Sequence, residues 1–332
     1  MNSFEGRLAV VTGGGTGMGR ELVLQLAAEG CHVAVCDVNP ETMAETARRA
    51  KKGAPAGTRI TSHVCDVSDE PQVLRFRDEV IAQHECDHVN LVFNNAGIGG
   101  GGSFITGARD EWDRTFGVCW SGVYYCSRAF VPLLVASDDG YLVNTSSVNG
   151  FWASLGPGIP HTAYSSAKFA VKGFSEALLE DFRINAPHVK VAVVMPGHIG
   201  TDIVINSRRV HGAAEPDDMT DAELDTVRAE MARRGMPAET LSDDDVRGIV
   251  RMMGEMFRDT APVSAAAAAT MILDGVRAGA WRILVGDDAH ALDTAVRADP
   301  EAVYGPGGLA LGVFSRFGPA AADDRDAQPA AS

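Results

Sequence analysis

The sequence has few basic residues for its length of 332. Lys and Arg number 29 against 44 Asp and Glu, which gives a formal net charge of −15. Nucleic acids and anionic membrane surfaces are themselves negative and bind basic faces. The charge balance therefore argues against both classes of partner, although it does not bear on the fold.

Cysteines are also few, and none forms a CxxC pair. The six residues are Cys31, Cys36, Cys65, Cys86, Cys119 and Cys126. Zinc sites use closely spaced cysteine pairs and disulfide frameworks are rich in cysteine, so these scattered residues are interpreted as thiols in a reducing compartment and no metal site is expected.

Long apolar runs are missing as well. No run reaches transmembrane length, and the N-terminus shows no charged-then-apolar signal pattern. The sequence therefore predicts a cytoplasmic protein.

The N-terminal region combines an apolar run, a glycine-rich turn and an amphipathic stretch. Residues 8–11 predict a strand, residues 12–19 carry the glycines, and residues 20–29 predict a helix that Gly30 ends. In this arrangement, backbone N–H groups and a helix N-terminus can face a pyrophosphate.

A second predicted strand, residues 32–37, ends in Asp37, about 20 residues past the glycines. A carboxylate there can accept hydrogen bonds from the adenosine ribose and would repel a 2′-phosphate. We therefore expect NAD rather than NADP, and the alternative is a solvated residue at the end of a strand.

Strands and helices continue to alternate along the chain. Further strands are predicted at 60–64, 89–93, 141–145, 189–194 and 282–286, with Ser68 and Ser242 as candidate helix caps. This order predicts an α/β fold with a Rossmann-type doubly wound parallel sheet flanked by helices. Residues 1–318 are predicted to form one domain, with a helical substrate lid at 203–261 and a disordered tail at 319–332.

Tyr164 and Lys168 are four residues apart, so they share one face if the segment is helical. A phenol with a pKa near ~10 is a poor base at neutral pH. A fixed ammonium nearby favours the phenolate and would make the tyrosine a usable acid/base.

Three motifs together resemble the short-chain dehydrogenase/reductase superfamily. Residues 12–19 fit its TGxxxGxG pattern, residues 94–97 match NNAG, and Tyr164 with Lys168 matches YxxxK. The resemblance covers about residues 5–202 and implies an oxidoreductase that interconverts a secondary alcohol and a ketone. It implies a catalytic set of Ser147, Tyr164 and Lys168. The cofactor-binding residues that it implies, together with Asp37, are Thr12, Gly13, Gly17, Met18, Gly19, Asp66, Val67, Asn94, Ala96, Gly97, Tyr164, Lys168, Pro196, Gly197, Ile199 and Thr201.

Cys119 is a departure from this family pattern. It occupies the position of an asparagine that, in the family, helps hold a water in the proton relay. If the Cys119 carbonyl holds that water, the relay survives; if it does not, we expect slow turnover or none. A reactive thiol is the less favoured reading of this residue, and a buried inert thiol is the more favoured one.

The apolar segment 151–160 and the lid favour a bulky hydrophobic substrate such as a steroid, terpenoid or aryl alcohol. One alternative is a 3-oxoacyl-thioester reductase, whose acidic carrier partner would want a basic rim. Another is a non-catalytic dinucleotide-binding regulator, suggested by Cys119. By resemblance, the last strand and the helices around Val123 and Phe174 would form a homodimer or homotetramer.

Three features near the site have open interpretations. Residues 99–102, four consecutive glycines, form either a mobile loop beside the substrate or a plain linker. His161 either approaches the pocket or, as the favoured reading, only packs or caps a helix, and His198 either lines the pocket or faces solvent.

Overall fold

A computed structural model describes residues 1–156, 158–233, 238–304 and 308–309. The predicted tail, residues 319–332, lies outside the described residues. The strands are β1 Leu8–Thr12, β2 His32–Asp37, β3 Ile60–Val64, β4 Leu91–Asn94, β5 Gly140–Thr145, β6 Val189–Pro196, β7 Ile199–Gly200, β8 Val263–Ser264 and β9 Arg282–Val285. The helices are α1 Gly17–Ala28, α2 Pro40–Gly53, α3 Glu70–His84, α4 Arg109–Phe116, α5 Gly122–Val135, α6 Thr162–Asn185, α7 Ile203–Val210, α8 Asp221–Arg233, α9 Asp243–Asp259, α10 Ala265–Arg277 and α11 Asp287–Ala298.

The main sheet has seven strands in the order β3-β2-β1-β4-β5-β6-β9, and its pairings are parallel. This confirms the predicted doubly wound α/β fold. The strand order reverses between β1 and β4, and in such sheets ligands bind at the carboxyl ends of the strands near this reversal.

Both faces of the sheet are buried, which explains the nearly continuous apolar strands. Successive side chains of β1 point to opposite faces. Ala9 and Val11 pack with the side of the molecule that holds α1 and α10. Leu8 and Val10 pack with the side that holds α3, α5 and α6.

One predicted helix cap is wrong. Asp69, not Ser68, caps α3, and its side chain accepts a hydrogen bond from the Gln72 N–H. A π-helical turn at Gly117–Ser121 separates α4 from α5. By contrast, the Ser242 cap of α9 is confirmed, since the Ser242 side chain accepts from the Asp245 N–H.

The helical stretch Arg109–Val135 is long and apolar enough to cross a membrane by length and composition, contrary to the expectation that no run reaches that length. Core helices of soluble proteins pass the same test. Half of its most apolar window is buried, and α5 packs against α3, β4 and β5. The structure thus places it as a core helix of this domain.

The region after β9, which the sequence left unassigned, supports the segment that follows β5. Val303 and Leu292 pack with Trp152 in a small apolar cluster. The Tyr304 hydroxyl accepts a hydrogen bond of 2.9 Å from the Ala153 N–H. The chain beyond α11 therefore helps hold the start of the apolar segment 151–160.

Candidate active site

The glycine turn between β1 and α1 brings the backbone close to the end of β4. Gly13 and Gly17 have φ angles of 64° and 54°, which side chains other than glycine rarely adopt. A Cβ at Gly13 would lie 2.7 Å from the Ala96 Cα. The turn therefore requires glycine both for its conformation and for this close approach.

A cleft of about 480 Å³ opens over this turn, at the carboxyl ends of the strands. Many of the residues predicted to bind a cofactor line it. These residues are Gly13, Gly17, Met18, Asp37, Asp66, Val67, Ala96, Gly97 and Thr201. The structure thus brings together parts of five predicted segments that are far apart in the sequence.

Other predicted cofactor residues support the cleft from below. The buried Thr12 hydroxyl accepts hydrogen bonds of 3.0 and 3.1 Å from the N–H groups of Asn95 and Ala96. Asn94 is also buried, and its amide donates to Ser127 and Asn144. A Cβ at Gly19 would lie 2.1 Å from the Gly13 carbonyl oxygen. The expectation that Asn94 lines the cleft is therefore wrong, and its neighbour Asn95 does so instead.

The segment after β6 is fixed from behind by α11. A Cβ at Gly197 would lie 2.2 Å from the Asp288 carboxylate, which accepts a 2.6 Å hydrogen bond from the His198 N–H. The His198 imidazole is buried and bonds the Phe257 carbonyl oxygen at 2.6 Å, so it neither faces solvent nor lines the described cleft. Pro196 and Ile199 are buried as well, and Thr201 is the member of this segment that reaches the cleft.

Asp37 ends β2 on the edge of the cleft. Its carboxylate accepts hydrogen bonds from the N–H groups of Gly15, at 2.8 Å, and Asn39, at 3.0 Å. These bonds fix the carboxylate beside the glycine turn, where the sequence placed it.

Asp66 lines the cleft together with Arg114, a residue that sequence reasoning missed. The Arg114 guanidinium lies 2.6 Å from the Asp66 carboxylate. Burial raises the pKa of Asp66, but hydrogen bonds from Ser68 and Arg114 outweigh burial, and the net pKa lies below its usual value. The carboxylate is therefore ionised at neutral pH.

The predicted catalytic side chains meet near the carboxyl end of β5. Lys168 is fully buried, and its ammonium donates a 2.9 Å hydrogen bond to the Thr145 carbonyl oxygen. The same nitrogen lies 5.4 Å from the centre of the Tyr164 ring. Ser147 follows β5 and is close enough to hydrogen-bond the phenol. A Cβ at Gly97, which lines the cleft, would lie 3.5 Å from the Lys168 nitrogen, so the cluster adjoins the cleft.

The protonation of this cluster differs from the expected one. Burial raises the pKa of Tyr164 above its ordinary value, the nearby Cys119 adds to the rise, and the hydrogen bond with Ser147 opposes it. Burial also lowers the pKa of Lys168. The expectation of a lowered pKa for Tyr164 is thus wrong for the protein alone, because desolvation of the phenolate is the largest effect.

Cys119 lies in the π-helical turn, fully buried, and its thiol donates a 3.2 Å hydrogen bond to the Ile98 carbonyl oxygen. Single π turns inside α-helices often occur at functional sites. A Cβ at Gly97 would lie 3.8 Å from the Cys119 sulfur. The turn therefore brings Cys119 to the catalytic cluster, as its place in the motif predicts, with the thiol bonded to the backbone.

The four-glycine run is not a plain linker, because its backbone is hydrogen-bonded to neighbouring elements. The Gly99 N–H donates to the Ser207 hydroxyl at 2.7 Å, and the Gly99 carbonyl oxygen bonds the His211 imidazole at 2.9 Å. The Gly101 N–H donates to Glu111 at 2.8 Å, and its carbonyl oxygen accepts from the Ala163 N–H at the start of α6. The run is therefore held between α4, α6 and α7.

Helix α7 covers part of the cleft, and sequence reasoning did not single out its residues. Ile203, Asn206, Arg209 and Val210 line the cleft. The Asn206 amide donates a 3.0 Å hydrogen bond to the Thr16 hydroxyl in the glycine turn. The sequence feature that could have pointed to these residues is their position directly after the Thr201 segment.

A glycine turn under a cleft, an acidic strand end and a serine–tyrosine–lysine cluster together define a nicotinamide-dinucleotide-linked oxidoreductase. Residues 7–211 match the family model described as short chain dehydrogenase. The chain therefore belongs to the short-chain dehydrogenase/reductase family, which confirms the resemblance.

Relatives and solved structures agree with this assignment. A Mycobacterium tuberculosis protein named SadH is 36% identical over 253 residues, covering 76% of this chain and 87% of SadH. Human epidermal retinol dehydrogenase 2 is 33% identical over 198 residues, covering 59% of this chain and 61% of that protein. A short-chain dehydrogenase/reductase from Burkholderia phymatum, solved with NAD, has a TM-score of 0.71 at 26% identity, covering 91% of this chain and 96% of that one. A metagenomic short-chain oxidoreductase solved with NADP has a TM-score of 0.52 at 24% identity, covering 79% and 96%.

Proposed function

We propose that this protein is an NAD-dependent oxidoreductase that interconverts a secondary alcohol and a ketone, with a bulky hydrophobic substrate. The observation that carries the proposal is the contact between the Ser147, Tyr164 and Lys168 cluster and a cleft whose edge holds Asp37. Human epidermal retinol dehydrogenase 2, a relative named for an alcohol substrate, supports the CH–OH chemistry.

The residues of the cleft fit a dinucleotide. Gly17, the first residue of α1, has no side chain, and N–H groups at a helix N-terminus bind a pyrophosphate. Asp66 and Val67 would contact the adenine, and Thr201 would hold the carboxamide. When bound, the nicotinamide ring supplies the hydride acceptor.

The side chains of the chain itself handle the proton and the substrate oxygen. Ser147 would hydrogen-bond that oxygen and fix the reacting carbon. Tyr164 would take the hydroxyl proton during oxidation and return it to the carbonyl oxygen during reduction. Lys168 would stabilise the phenolate as it forms, since an opposite charge nearby favours the charged form.

The choice of NAD over NADP is based on Asp37. Its carboxylate is fixed by two backbone N–H groups, so it cannot turn away from a 2′-phosphate without losing both bonds. Like charges in close contact repel by several kcal/mol across an interface. The Burkholderia relative holds NAD and the metagenomic one NADP, so both coenzymes occur on this fold.

The apolar segment 151–160 supports a hydrophobic substrate. Trp152 and Ile159 are buried in it, and it leads directly into His161 and α6. Two alternatives remain. A 3-oxoacyl-thioester reductase would act on an acidic carrier, which the net charge of −15 disfavours. A dinucleotide-binding regulator without turnover is suggested by Cys119.

One experiment separates these functions. Purified protein is mixed with NAD and a panel of secondary alcohols, and with the reduced coenzyme and a 3-oxoacyl thioester, while the absorbance of the reduced coenzyme is followed. Turnover of apolar alcohols supports the proposal, and turnover of the thioester alone supports the first alternative. Coenzyme binding without turnover, unchanged in Cys119→Asn, supports the regulator.

We also propose a cytoplasmic homodimer or homotetramer. Tyr124 on α5 is 40% exposed and Phe169 on α6 is 42% exposed, and Tyr124 contacts Phe174. An aromatic face of this kind is typical of a subunit contact. The mass in solution, measured by light scattering with and without Tyr124→Glu, tests it.

A further inference from the structure

His161 lies one helical turn before Tyr164, at the residue that precedes α6. Its imidazole stacks on the phenol ring, with centroids 4.7 Å apart and an angle of 17° between the planes. The imidazole therefore lies directly beside the phenol that the proposed reaction uses.

The Nδ1 atom of His161 is buried and has no hydrogen-bond partner among the described residues. Buried polar atoms in proteins are nearly always paired, so this nitrogen calls for a partner that arrives with a ligand. Burial lowers the pKa of His161 to about 4. The imidazole is therefore neutral at pH 7 and offers one N–H donor and one acceptor lone pair.

Polar side chains near His161 already form hydrogen bonds with other groups. The Thr162 hydroxyl accepts from the Trp112 indole at 3.2 Å and lies 3.0 Å from the Gly102 carbonyl oxygen. The Asn149 amide donates to the carbonyl oxygens of Trp152 and Ser154, which fixes the preceding segment. These hydrogen bonds fix the backbone around His161, and its Nδ1 atom remains available to bond a ligand.

We propose that His161 is a specificity-determining residue whose Nδ1 hydrogen-bonds a second oxygen of the substrate, on a carbon next to the one that reacts. The inference rests on the proposed function, in which Ser147 and Tyr164 hold the first oxygen. Because the two rings are in stacking contact, the second oxygen must lie close to the first. The preferred substrates are hydroxyketones, diketones and the matching diols on an otherwise apolar skeleton.

A carboxylate is a poorer candidate for this second group. A neutral imidazole does not offset a full negative charge, and burying an unpaired charge is costly. The Lys168 ammonium nearby already donates to Thr145. An uncharged hydroxyl or carbonyl oxygen therefore fits the site better.

The test compares 1-tetralone with 2-hydroxy-1-tetralone, which differ by one oxygen, using the reduced coenzyme. The wild-type protein is expected to prefer the hydroxyketone by about tenfold in kcat/KM, as one hydrogen bond allows. His161→Phe keeps a stacking ring without nitrogens and should reduce the preference to within about twofold, while 1-tetralone turnover stays within about threefold. His161→Asn, which retains a donor near the Nδ1 position, should keep part of the preference.

Two results overturn the inference while leaving the proposed function intact. One is a wild-type protein that reduces both ketones equally well. The other is a His161→Phe variant that loses activity equally on both, which indicates a structural role only. If the wild type turns over neither ketone and no alcohol of the wider panel, the result instead counts against the proposed function. It then removes the basis of the inference.

Discussion

The Lys168 ammonium lies 5.4 Å from the centre of the Tyr164 ring, one turn further along α6. At this distance the charge favours the phenolate, yet burial keeps the pKa of Tyr164 above its usual value. The neutral phenol is therefore the main form at pH 7. It is ready to donate a proton to a ketone, whereas alcohol oxidation first requires its deprotonation.

Replacing Tyr164 by Phe removes the proton donor and keeps the ring. We expect kcat to fall by at least about 100-fold, the lower range for loss of a general acid/base. The dissociation constant for the coenzyme, measured by fluorescence titration, should change little.

Tyr141→Phe is the matched control. The Tyr141 hydroxyl lies away from the site and donates a 2.8 Å hydrogen bond to the Ala280 carbonyl oxygen. It should cost about 1 kcal/mol of stability and leave kcat nearly unchanged. Full activity in Tyr164→Phe would disprove the assignment.

The rate of alcohol oxidation should rise with pH between about 7 and 9, because the raised pKa leaves little phenolate at neutral pH. Ser147 lowers the pKa of Tyr164 by hydrogen bonding. Ser147→Ala should therefore shift the pH–rate profile to higher pH as well as lower kcat. Initial rates across this range, with Ser137→Ala as control, check the prediction. An unshifted profile would show that Ser147 does not contact the phenol during turnover.

Replacing Asp37 by Ser should relax coenzyme discrimination. Loss of the carboxylate removes repulsion of a 2′-phosphate, so the ratio of kcat/KM for NAD to that for NADP should fall by about 10- to 100-fold, or about 1.4 to 2.7 kcal/mol. Glu41→Gln removes an equal charge from the exposed first turn of α2 and should leave the ratio unchanged. An unchanged ratio in Asp37→Ser would place the carboxylate away from the ribose.

Local sequence signals predicted the strands, the glycine turn and the pairing of Tyr164 with Lys168, whereas Ser147 was assigned from the family resemblance. The parallel sheet follows from the alternation of strands and helices, and YxxxK places Tyr164 and Lys168 on one helix face. These features depend on periodicity and short spacing, which a single sequence carries. The doubly wound fold was predictable for the same reason.

Long-range contacts and net electrostatics were not predictable in this way. Asn94 and Thr12 look like cofactor residues, but their bonds go to distant parts of the core. His198 and His161 looked unremarkable because their burial depends on α9 and on the Tyr164 ring. The direction of the Tyr164 pKa shift is set mainly by burial, which the spacing of Tyr164 and Lys168 does not reveal.

The four-glycine run gives a stability prediction that its sequence alone does not. Gly100 has a φ of 134°, and a Cβ there would lie 2.5 Å from the His211 Nε2 and 2.8 Å from the Thr115 hydroxyl. Gly100→Ala should therefore strain the backbone and displace the link to α7. We expect a loss of about 1–3 kcal/mol in the free energy of unfolding.

Gly100→Ala should also raise KM for the ketone more than it lowers kcat. The four-glycine run borders α6, and we expect Tyr164 to keep its position in the variant. Gly248→Ala is the control: Gly248 lies inside α9, and a Cβ there meets nothing within 4 Å. It should stabilise the protein by about 0.5–1 kcal/mol, the usual gain of alanine over glycine in a helix. Urea denaturation and steady-state kinetics on both variants measure the two effects. Equal stability changes in the two variants would mean that the run is not held between α4, α6 and α7 in solution.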